Sequence, residues 1–314
     1  MSITAVSPEA AAPSPPVGPP APNDDAPTRP VFLVGAERSG TTMLRLMLNA
    51  NPHIAWQCEF HTAIEPLVGH PLHPGGDGWP DADAYRLSLS SDGIFHRSGL
   101  HVPVDATSEE ILRGFPRQVW QRKEPKPDVV GITCHRFYDV LDHLWPESRF
   151  VHVVRDPREV AASWLKLGWA GHVWFAADHW LEAEELWEKV KPTIAEDRRH
   201  EIIFEELIFE PERVLSDLCA FLGVPYSPAM LEYHESSTYK PVSGRVSGKW
   251  RNKITPAQAA LLDTKLGRWL DQYGHGRALP VDQVPPPARR LRLLQHRPED
   301  PRQAAGHPPA AALG

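Results

Sequence analysis

The stretch that decides the fold is Val31-Phe32-Leu33-Val34-Gly35-Ala36-Glu37-Arg38-Ser39-Gly40-Thr41-Thr42, which continues into the apolar segment Met43–Leu48. Four apolar residues predict a buried strand, and a glycine-flanked loop then leads to good helix formers with apolar side chains at helical spacing. A strand, a glycine loop and a helix in this order bring several backbone N–H groups together at a helix N-terminus. The stretch therefore predicts an anion-binding loop.

The loop has the length of a nucleotide-binding P-loop but lacks one of its residues. Gly35 and Gly40 have the P-loop spacing, yet Thr41 stands where a loop that binds nucleoside triphosphates carries Lys. Arg38 comes earlier in the loop, and Thr41 and Thr42 offer hydroxyl groups. We therefore expect the loop to bind a phosphate ester other than a nucleoside triphosphate.

The loop also resembles a known motif. Its pattern Gly-x-x-Arg-Ser-Gly-Thr-Thr, with Asn51-Pro52 after the next helix, is similar to the 5′-phosphosulfate loop of sulfotransferases that use 3′-phosphoadenosine-5′-phosphosulfate (PAPS). The Arg form of the loop resembles that of tyrosylprotein sulfotransferases and their bacterial relatives. The resemblance implies that five residues hold the phosphosulfate: Arg38, Ser39, Gly40, Thr41 and Thr42.

A second motif follows the strand predicted over Arg149–Val154. Arg155 stands at the end of this strand, and Ser163 comes eight positions later on the next predicted helix. The pair resembles the motif with which the family holds the 3′-phosphate of PAPS. A guanidinium can bind a phosphate through two hydrogen bonds, and a Ser hydroxyl can close the other side. The resemblance thus implies a nucleotide with a phosphate on its ribose, which distinguishes PAPS from ATP.

A third, softer motif is a basic loop late in the chain. Lys240 and Trp250 have the separation found in tyrosylprotein sulfotransferases, and Gly248-Lys249-Trp250-Arg251 is similar to a loop that covers the 3′-phosphate and adenine in cytosolic members. Basic residues here would supply the local positive charge that an acidic chain otherwise lacks. The resemblance implies four nucleotide-binding residues: Lys240, Arg245, Lys249 and Trp250.

Two residues are alternative general bases. Glu59 follows a short predicted strand containing Ile54 and Trp56, and it aligns with the glutamate base of tyrosylprotein sulfotransferases. His135 ends the predicted strand Asp128–His135, and ligands bind at the carboxyl ends of strands in doubly wound sheets. Cytosolic members carry Lys-Thr-His there with the His as base, but Thr133 replaces the Lys. We expect Glu59 or His135 to take the acceptor proton.

Other stretches give weaker expectations. Glu201–Leu207 is expected to form a strand and its turn, with Phe204 where the family commonly has Tyr, so that a hydroxyl is lost. Ser108 is the expected N-cap of a helix over Glu109–Phe115. A helix over Pro211–Leu222 is expected to end at Gly223, and Thr255 is the expected N-cap of a last helix that reaches about Tyr273. Trp169 and Trp174, in a glycine-containing loop, are candidate borders of the acceptor site.

Composition sets limits on the class of protein. The chain has 314 residues, a hydrophobic content of 41%, a net charge of −7 and a pI of about 6.1. This size suits one α/β domain with tails, and the mild acidity does not favour nucleic acid as a partner. Three widely spaced cysteines form no metal-ligand pattern, and the histidines lack zinc-site spacing, so we expect no metal. No apolar run is long enough to span a membrane, and no signal peptide is recognised, so we expect a cytoplasmic protein.

The two ends differ from the centre in composition. Residues 1–29 and 284–314 are rich in Pro and Ala, which is typical of disordered tails, because such segments bury too little apolar surface to offset the entropy of ordering. The predicted domain therefore spans residues 30–283. We expect an α/β fold, a P-loop-type doubly wound parallel sheet with helices on both faces.

The predicted activity is transfer of a sulfuryl group from PAPS to an acceptor hydroxyl, or to an amine, with PAP (3′,5′-ADP) as product. The acceptor stays open among small molecules, sugars and peptide tyrosines, and so does the oligomeric state. One alternative is a P-loop kinase, which Thr41 and the scarcity of acidic strand ends (Asp156 alone) argue against. The other is a non-catalytic nucleotide-binding relative, which the missing Lys at Thr133 supports.

Overall fold

A five-stranded parallel sheet forms the centre of the computed structural model, which describes residues 29–57, 59–70, 78–241 and 247–278. The strand order is β2-β3-β1-β4-β5, with the predicted first strand in the middle. The expected doubly wound α/β fold is confirmed. The strands are β1 (Val31–Val34), β2 (Ile54–Gln57), β3 (Val129–Thr133), β4 (Arg149–Val154) and β5 (Arg199–Ile203).

Helices connect the strands and cover the sheet. In chain order they are α1 (Thr41–Ala50), α2 (His61–Ile64), α3 (Ala82–Ser91), α4 (Gly93–Ser98), α5 (Ser108–Gln121), α6 (Tyr138–Leu144), α7 (Pro157–Lys166), α8 (Val173–Val190), α9 (Phe204–Phe209), α10 (Pro211–Leu222) and α11 (Pro256–Gln272). Short 3-10 turns lie at Glu65–Leu67, Lys191–Thr193, Glu196–Arg198, Pro228–Leu231 and Lys249–Asn252. None of the helices in these described ranges is both long and apolar enough to cross a bilayer.

The alternation of side chains along β1 divides the core between the two faces of the sheet. Phe32 and Val34 pack with residues of α5 and α6, whereas Val31 and Leu33 pack with residues of α1 and α10. All four side chains are buried, as expected for the central strand of a parallel sheet. A third cluster, from α7, α8 and α11, lies next to the ends of β1 and β4 and includes Val154. This cluster supports the edge of the sheet where the strands end.

Two boundaries differ from the sequence-based expectation. Helix α5 begins at Ser108, so the N-cap is Thr107, whose side chain and that of Glu110 form a capping box; the expectation of Ser108 as N-cap was wrong. The Ser108 hydroxyl instead donates to the Pro80 carbonyl at 2.8 Å. Strand β5 ends at Ile203, and α9 begins directly after it. A helix therefore stands where a turn was expected up to Leu207.

Other predicted ends agree with the structure. Helix α11 starts with Thr255 as N-cap in a capping box with Gln258. Helix α10 ends at Gly223, whose φ of 76° is the left-handed conformation that favours glycine at a helix C-terminus. The predicted tails lie outside the described residues, except for Arg29, and the domain limits of 30–283 stay a prediction.

Candidate active site

The predicted site residues gather where the topology opens a crevice. The chain leaves β1 towards β2 at one edge of the sheet and leaves β4 towards β5 at the other edge. Adjacent strands whose connections diverge in this way leave a crevice at their carboxyl ends, the usual ligand site of doubly wound sheets. The loop after β1 and Arg155 after β4 both lie at this crevice.

Two positions of the loop after β1 require glycine, because atoms of other residues lie where a Cβ atom would be. Gly35 has a φ of 139°, and a Cβ atom there would lie 2.3 Å from the carbonyl oxygen of Val153. Gly40 has a φ of 97°, and its Cβ would lie 2.1 Å from Cε2 of Phe204. Arg38 also adopts a positive φ, 74°, which is uncommon for a residue with a side chain. The loop therefore has a strained, closely packed shape, which is typical of functional sites.

The loop leaves donors for an anion. Gly40 is the N-cap of α1 and provides no side-chain cap, so the first-turn N–H groups of Thr41 and Thr42 have no intrahelical acceptor. The Ser39 N–H closes the turn onto the Ala36 carbonyl at 3.1 Å and is already used. The Ser39 hydroxyl is fully buried and has no hydrogen-bond partner among the described residues. A buried polar atom of this kind fits a loop that completes its hydrogen bonds with a ligand.

The two predicted phosphate motifs are in direct contact. Arg38 Nε donates to Ser163 Oγ at 3.1 Å, although the residues are 125 positions apart. Arg155 Nη1 donates to the carbonyl oxygen of Arg38 at 3.2 Å. The structure thus brings Arg38, Arg155 and Ser163 together at one end of the sheet. One ligand could span both motifs.

Phe204 fills the space between the motifs. Its ring packs against Gly40, and the Arg155 guanidinium carbon lies 4.5 Å from the ring centroid, a cation–π contact. Phe204 is 4% exposed. The side chain that lost the expected hydroxyl therefore acts as an apolar spacer, setting the distance between the loop and Arg155. Sequence reasoning did not find this role, because the contact joins residues far apart in the chain.

Acidic groups surround Arg155 without removing its charge. Burial lowers the pKa of Arg155, and the carboxylates of Glu159, Glu205 and Asp156 oppose that effect. An arginine remains protonated in proteins, so a positive charge stays at the end of β4. Burial also raises the pKa of Glu205 to about 7, and its Oε1 accepts the Asp156 N–H at 3.2 Å.

His135 supports the start of the loop. Its Nδ1 lies 2.8 Å from the Gly35 carbonyl oxygen. Because a carbonyl can only accept, Nδ1 carries the hydrogen, and in the neutral ring Nε2 is the nitrogen free of a proton. The Tyr138 hydroxyl accepts the Gly35 N–H and donates to the His135 carbonyl, both at 3.1 Å. His135 is 7% exposed. It can therefore hold the loop, and the Nε2 atom of this tautomer is able to accept a proton.

Glu59 lies in the same region and is more accessible. Its φ of 55° is left-handed, and its side chain is 41% exposed. Glu59 Oε2 lies 3.8 Å from Nδ1 of His61, whose ring centroid is 6.1 Å from that of His135. His61, which sequence analysis did not single out as a site residue, thus lies beside both alternative bases. At the position of the missing Lys, the Thr133 hydroxyl accepts the indole N–H of Trp56 at 3.0 Å.

The described end of the basic loop, the Lys249–Asn252 turn, contacts α7, the helix that carries Ser163. The Trp250 ring lies 4.3 Å from the Arg158 guanidinium and 4.4 Å from that of Arg251, while its backbone N–H donates to Glu159 Oε1 at 2.8 Å. Lys249, beside it, is exposed. Both residues are therefore placed near α7.

For two other predicted residues, Lys240 and Arg245, the nucleotide-binding role stays a prediction. Lys240 is exposed, and its carbonyl accepts the Tyr233 hydroxyl. Arg245 lies outside the described residues. Within the described part of the chain, no group of three or more His, Cys, Asp and Glu residues is arranged to hold a metal ion.

Comparison with known proteins gives consistent results. The Sulfotransferase family profile matches residues 30–228. Protein-tyrosine sulfotransferase 1 of Danio rerio is 25% identical over 259 residues, which are 74% of this chain and 68% of that protein. The omega-hydroxy-beta-dihydromenaquinone-9 sulfotransferase Stf3 of Mycobacterium tuberculosis is 29% identical over 310 residues, 80% of this chain and 76% of that protein.

Coverage of the relatives is uneven. The chain spans 55% of protein-tyrosine sulfotransferase 2 of Gallus gallus and 47% of the protein-tyrosine sulfotransferase of Drosophila melanogaster. The solved sulfotransferase domain of the Synechococcus PCC 7002 olefin synthase shares the fold, with a TM-score of 0.60 at 21% identity, over 82% of this chain and 98% of that domain. Because the family profile matches more than half of its residues, the chain belongs to the sulfotransferase family.

Proposed function

We propose that the protein transfers a sulfuryl group from PAPS to a hydroxyl group, or less readily to an amine, of an acceptor. The observation that carries this proposal is the contact of Arg38 with Ser163 and Arg155, which joins two anion-binding motifs in one crevice. A nucleotide with phosphate groups at both its 5′ and its 3′ position matches such a pair. A nucleoside triphosphate does not, since it lacks the 3′-phosphate and the loop lacks the P-loop Lys.

The residues present fit this nucleotide. The N–H groups of Thr41 and Thr42, the buried Ser39 hydroxyl and the Arg38 side chain would hold the 5′ end, where PAPS supplies the sulfuryl group. Arg155 and Ser163 would hold the 3′-phosphate. Fixed donors of this kind stabilise negative charge that builds up on the bridging oxygen as the bond from sulfur to the phosphate breaks.

We assign the general base to Glu59 and a supporting role to His135. The Glu59 carboxylate is 41% exposed and can meet an incoming acceptor, whereas His135 is buried and bonded through Nδ1 to the loop. The carboxylate would take the hydroxyl proton as the new bond from oxygen to sulfur forms. A positioned base typically contributes about 100- to 10,000-fold to the rate.

Two substitutions separate these roles. His135→Asn offers an amide donor to the Gly35 carbonyl but has no counterpart of Nε2, so it should keep most of the activity. Glu59→Gln should lower kcat by about 100-fold or more and leave the Kd of 3′,5′-ADP nearly unchanged. A His135→Asn variant as inactive as Glu59→Gln, with normal nucleotide affinity, would move the base to His135.

For the acceptor we propose a hydroxyl group attached to an aromatic or apolar body. Trp169 is 44% exposed, and its ring lies 6.0 Å from the Arg38 guanidinium carbon, so an aromatic surface borders the loop. The matched relatives carry names that include a protein-tyrosine and a hydroxylated menaquinone substrate. Location in the cytoplasm stays a prediction of the sequence, to be tested by fractionation of cells.

Incubation of the protein with sulfur-labelled PAPS and a cell extract tests the activity and identifies the acceptor. We expect label to be transferred by the natural protein and lost in Arg38→Ala. Arg113→Ala serves as the matched control, because Arg113 lies on α5 and bonds Glu109 and the Leu144 carbonyl. Tight binding of 3′,5′-ADP without any transfer would instead indicate a non-catalytic relative.

A further inference from the structure

Glu159, on α7, lies at the meeting point of the 3′-phosphate motif and the basic loop. Its side chain is fully buried. Oε1 accepts the backbone N–H of Trp250 at 2.8 Å, and Oε2 lies 3.1 Å from the ammonium of Lys253. Oε2 is also 3.7 Å from Nη2 of Arg155. One carboxylate therefore contacts the strand-end arginine and a loop more than 90 positions further along the chain.

The Lys249–Asn252 turn is also attached to Arg158, the residue before Glu159. The Arg158 guanidinium is 4.3 Å from the Trp250 ring centroid and donates hydrogen bonds to both oxygens of the Asp156 carboxylate. Arg158 thus holds the indole, while Glu159 holds the backbone of the same residue. Since both come from the first turn of α7, the Lys249–Asn252 turn is fixed directly to the helix that carries Ser163.

We propose that Glu159 is a positioning residue that fixes both Arg155 and the Lys249–Asn252 turn for binding of the 3′-phosphate. The inference rests on the proposed function, because it assumes a nucleotide with a 3′-phosphate. Glu159 itself does not contact the nucleotide in this account. It orients the Arg155 side chain and keeps the cations of the turn beside α7.

The charges around Glu159 indicate whether its removal should weaken or tighten binding of the 3′-phosphate. A carboxylate near a phosphate also repels it, and if repulsion were its main effect, removal of Glu159 would tighten binding. Glu159 is, however, contacted by two cations, Arg155 and Lys253, so these three side chains together carry a net positive charge. A buried carboxylate with this much compensation is more important for geometry than for repulsion, because its loss removes a buried ionic contact from both Arg155 and Lys253.

The test compares 3′,5′-ADP with 5′-ADP, which lacks the 3′-phosphate, by isothermal titration calorimetry. We define the preference as the Kd of 5′-ADP divided by that of 3′,5′-ADP. We expect Glu159→Ala to lower this preference by about tenfold or more, the loss of roughly one charge-assisted contact. Glu159→Gln should have a smaller effect, since its amide oxygen can still accept the Trp250 N–H. Both Kd values come from one sample, so a loss of folded protein cancels in the ratio.

A matched control is Glu184→Gln. Glu184 is an equally buried carboxylate on the neighbouring helix α8, and it bonds His152 and Tyr273. Its loss should reduce stability but leave the preference unchanged. Trypsin reports the turn separately, since Lys249, Arg251 and Lys253 are cleavage sites, and we expect faster cleavage there in both Glu159 variants.

The outcomes distinguish the two proposals. A natural protein that binds both nucleotides equally would overturn the proposed function. If the natural protein prefers 3′,5′-ADP and the Glu159 variants keep or increase that preference, the positioning role is wrong and the proposed function stands. If Glu159→Ala does not fold, Glu159→Gln carries the test, because it has nearly the same shape.

Discussion

Substitution of Gly40 by alanine tests the packing that joins the loop to the end of β4. A new Cβ atom would lie 2.1 Å from Cε2 and 2.2 Å from Cδ2 of Phe204, so the ring must move. That ring is buried and in cation–π contact with Arg155, so its movement also displaces the guanidinium. An alanine at a positive φ costs about 1–2 kcal/mol, and overpacking of a well-packed site adds about 1–3 kcal/mol.

Gly69→Ala is a control matched in conformation. Gly69 has the same φ of 97°, but no atom of the described residues lies within 4 Å of the position of its Cβ. Urea unfolding should therefore show a loss of about 1–2 kcal/mol for Gly69→Ala and about 2–5 kcal/mol for Gly40→Ala. Calorimetry should show weaker 3′,5′-ADP binding for Gly40→Ala alone. Equal losses of stability in the two variants, or unchanged nucleotide binding by Gly40→Ala, would refute the contact between Phe204 and the loop.

Three further predictions follow from single contacts. Arg155→Lys should weaken 3′,5′-ADP binding by about 10- to 100-fold in calorimetry, because an ammonium cannot form the two parallel hydrogen bonds of a guanidinium; an unchanged Kd would place the phosphate elsewhere. Burial alone would lower the pKa of His152, but the carboxylates of Glu184 and Glu201 outweigh it and raise the pKa to about 9, from 6.5 for the free side chain. The stability due to the charged ring is therefore present below pH 6.5 and is lost as the pH rises to 9. The urea midpoint of the natural protein should fall over this pH range, and that of His152→Gln should not. Parallel pH profiles of the two proteins would contradict this. Trp169→Ala should raise the KM of the acceptor identified by labelling while leaving the Kd of 3′,5′-ADP unchanged, and a change in nucleotide affinity alone would contradict the assignment.

The sequence predicted the elements whose signals are local. The strand Val31–Val34, its glycine loop and α1 follow from apolar spacing and two glycines within 20 residues. Helix α11 was predicted from Thr255, which caps it. The start of α5 was wrong by one residue because Thr107 and Ser108 are both good N-caps. Glu110 decides between them, since a capping box needs Glu or Gln three positions after the cap.

The candidate site was predictable where a motif names its residues. The loop residues and the Arg155–Ser163 pair come from such motifs, and the structure brings them together. The roles of Phe204 and Glu159 depend on contacts with Gly40 and Trp250, which are far away in the chain. No local pattern encodes such pairs. Only the packing of the β1 loop, α7 and the basic turn at one end of the sheet brings them into contact.

A crystal structure of the complex with 3′,5′-ADP tests the central claim most directly. We predict the 3′-phosphate within hydrogen-bond distance of Arg155 and Ser163, and the 5′-phosphate at the N–H groups of Thr41 and Thr42. Arg38 should lie between the two phosphate groups. A nucleotide bound in the opposite direction, or away from the crevice between β1 and β4, would contradict the account.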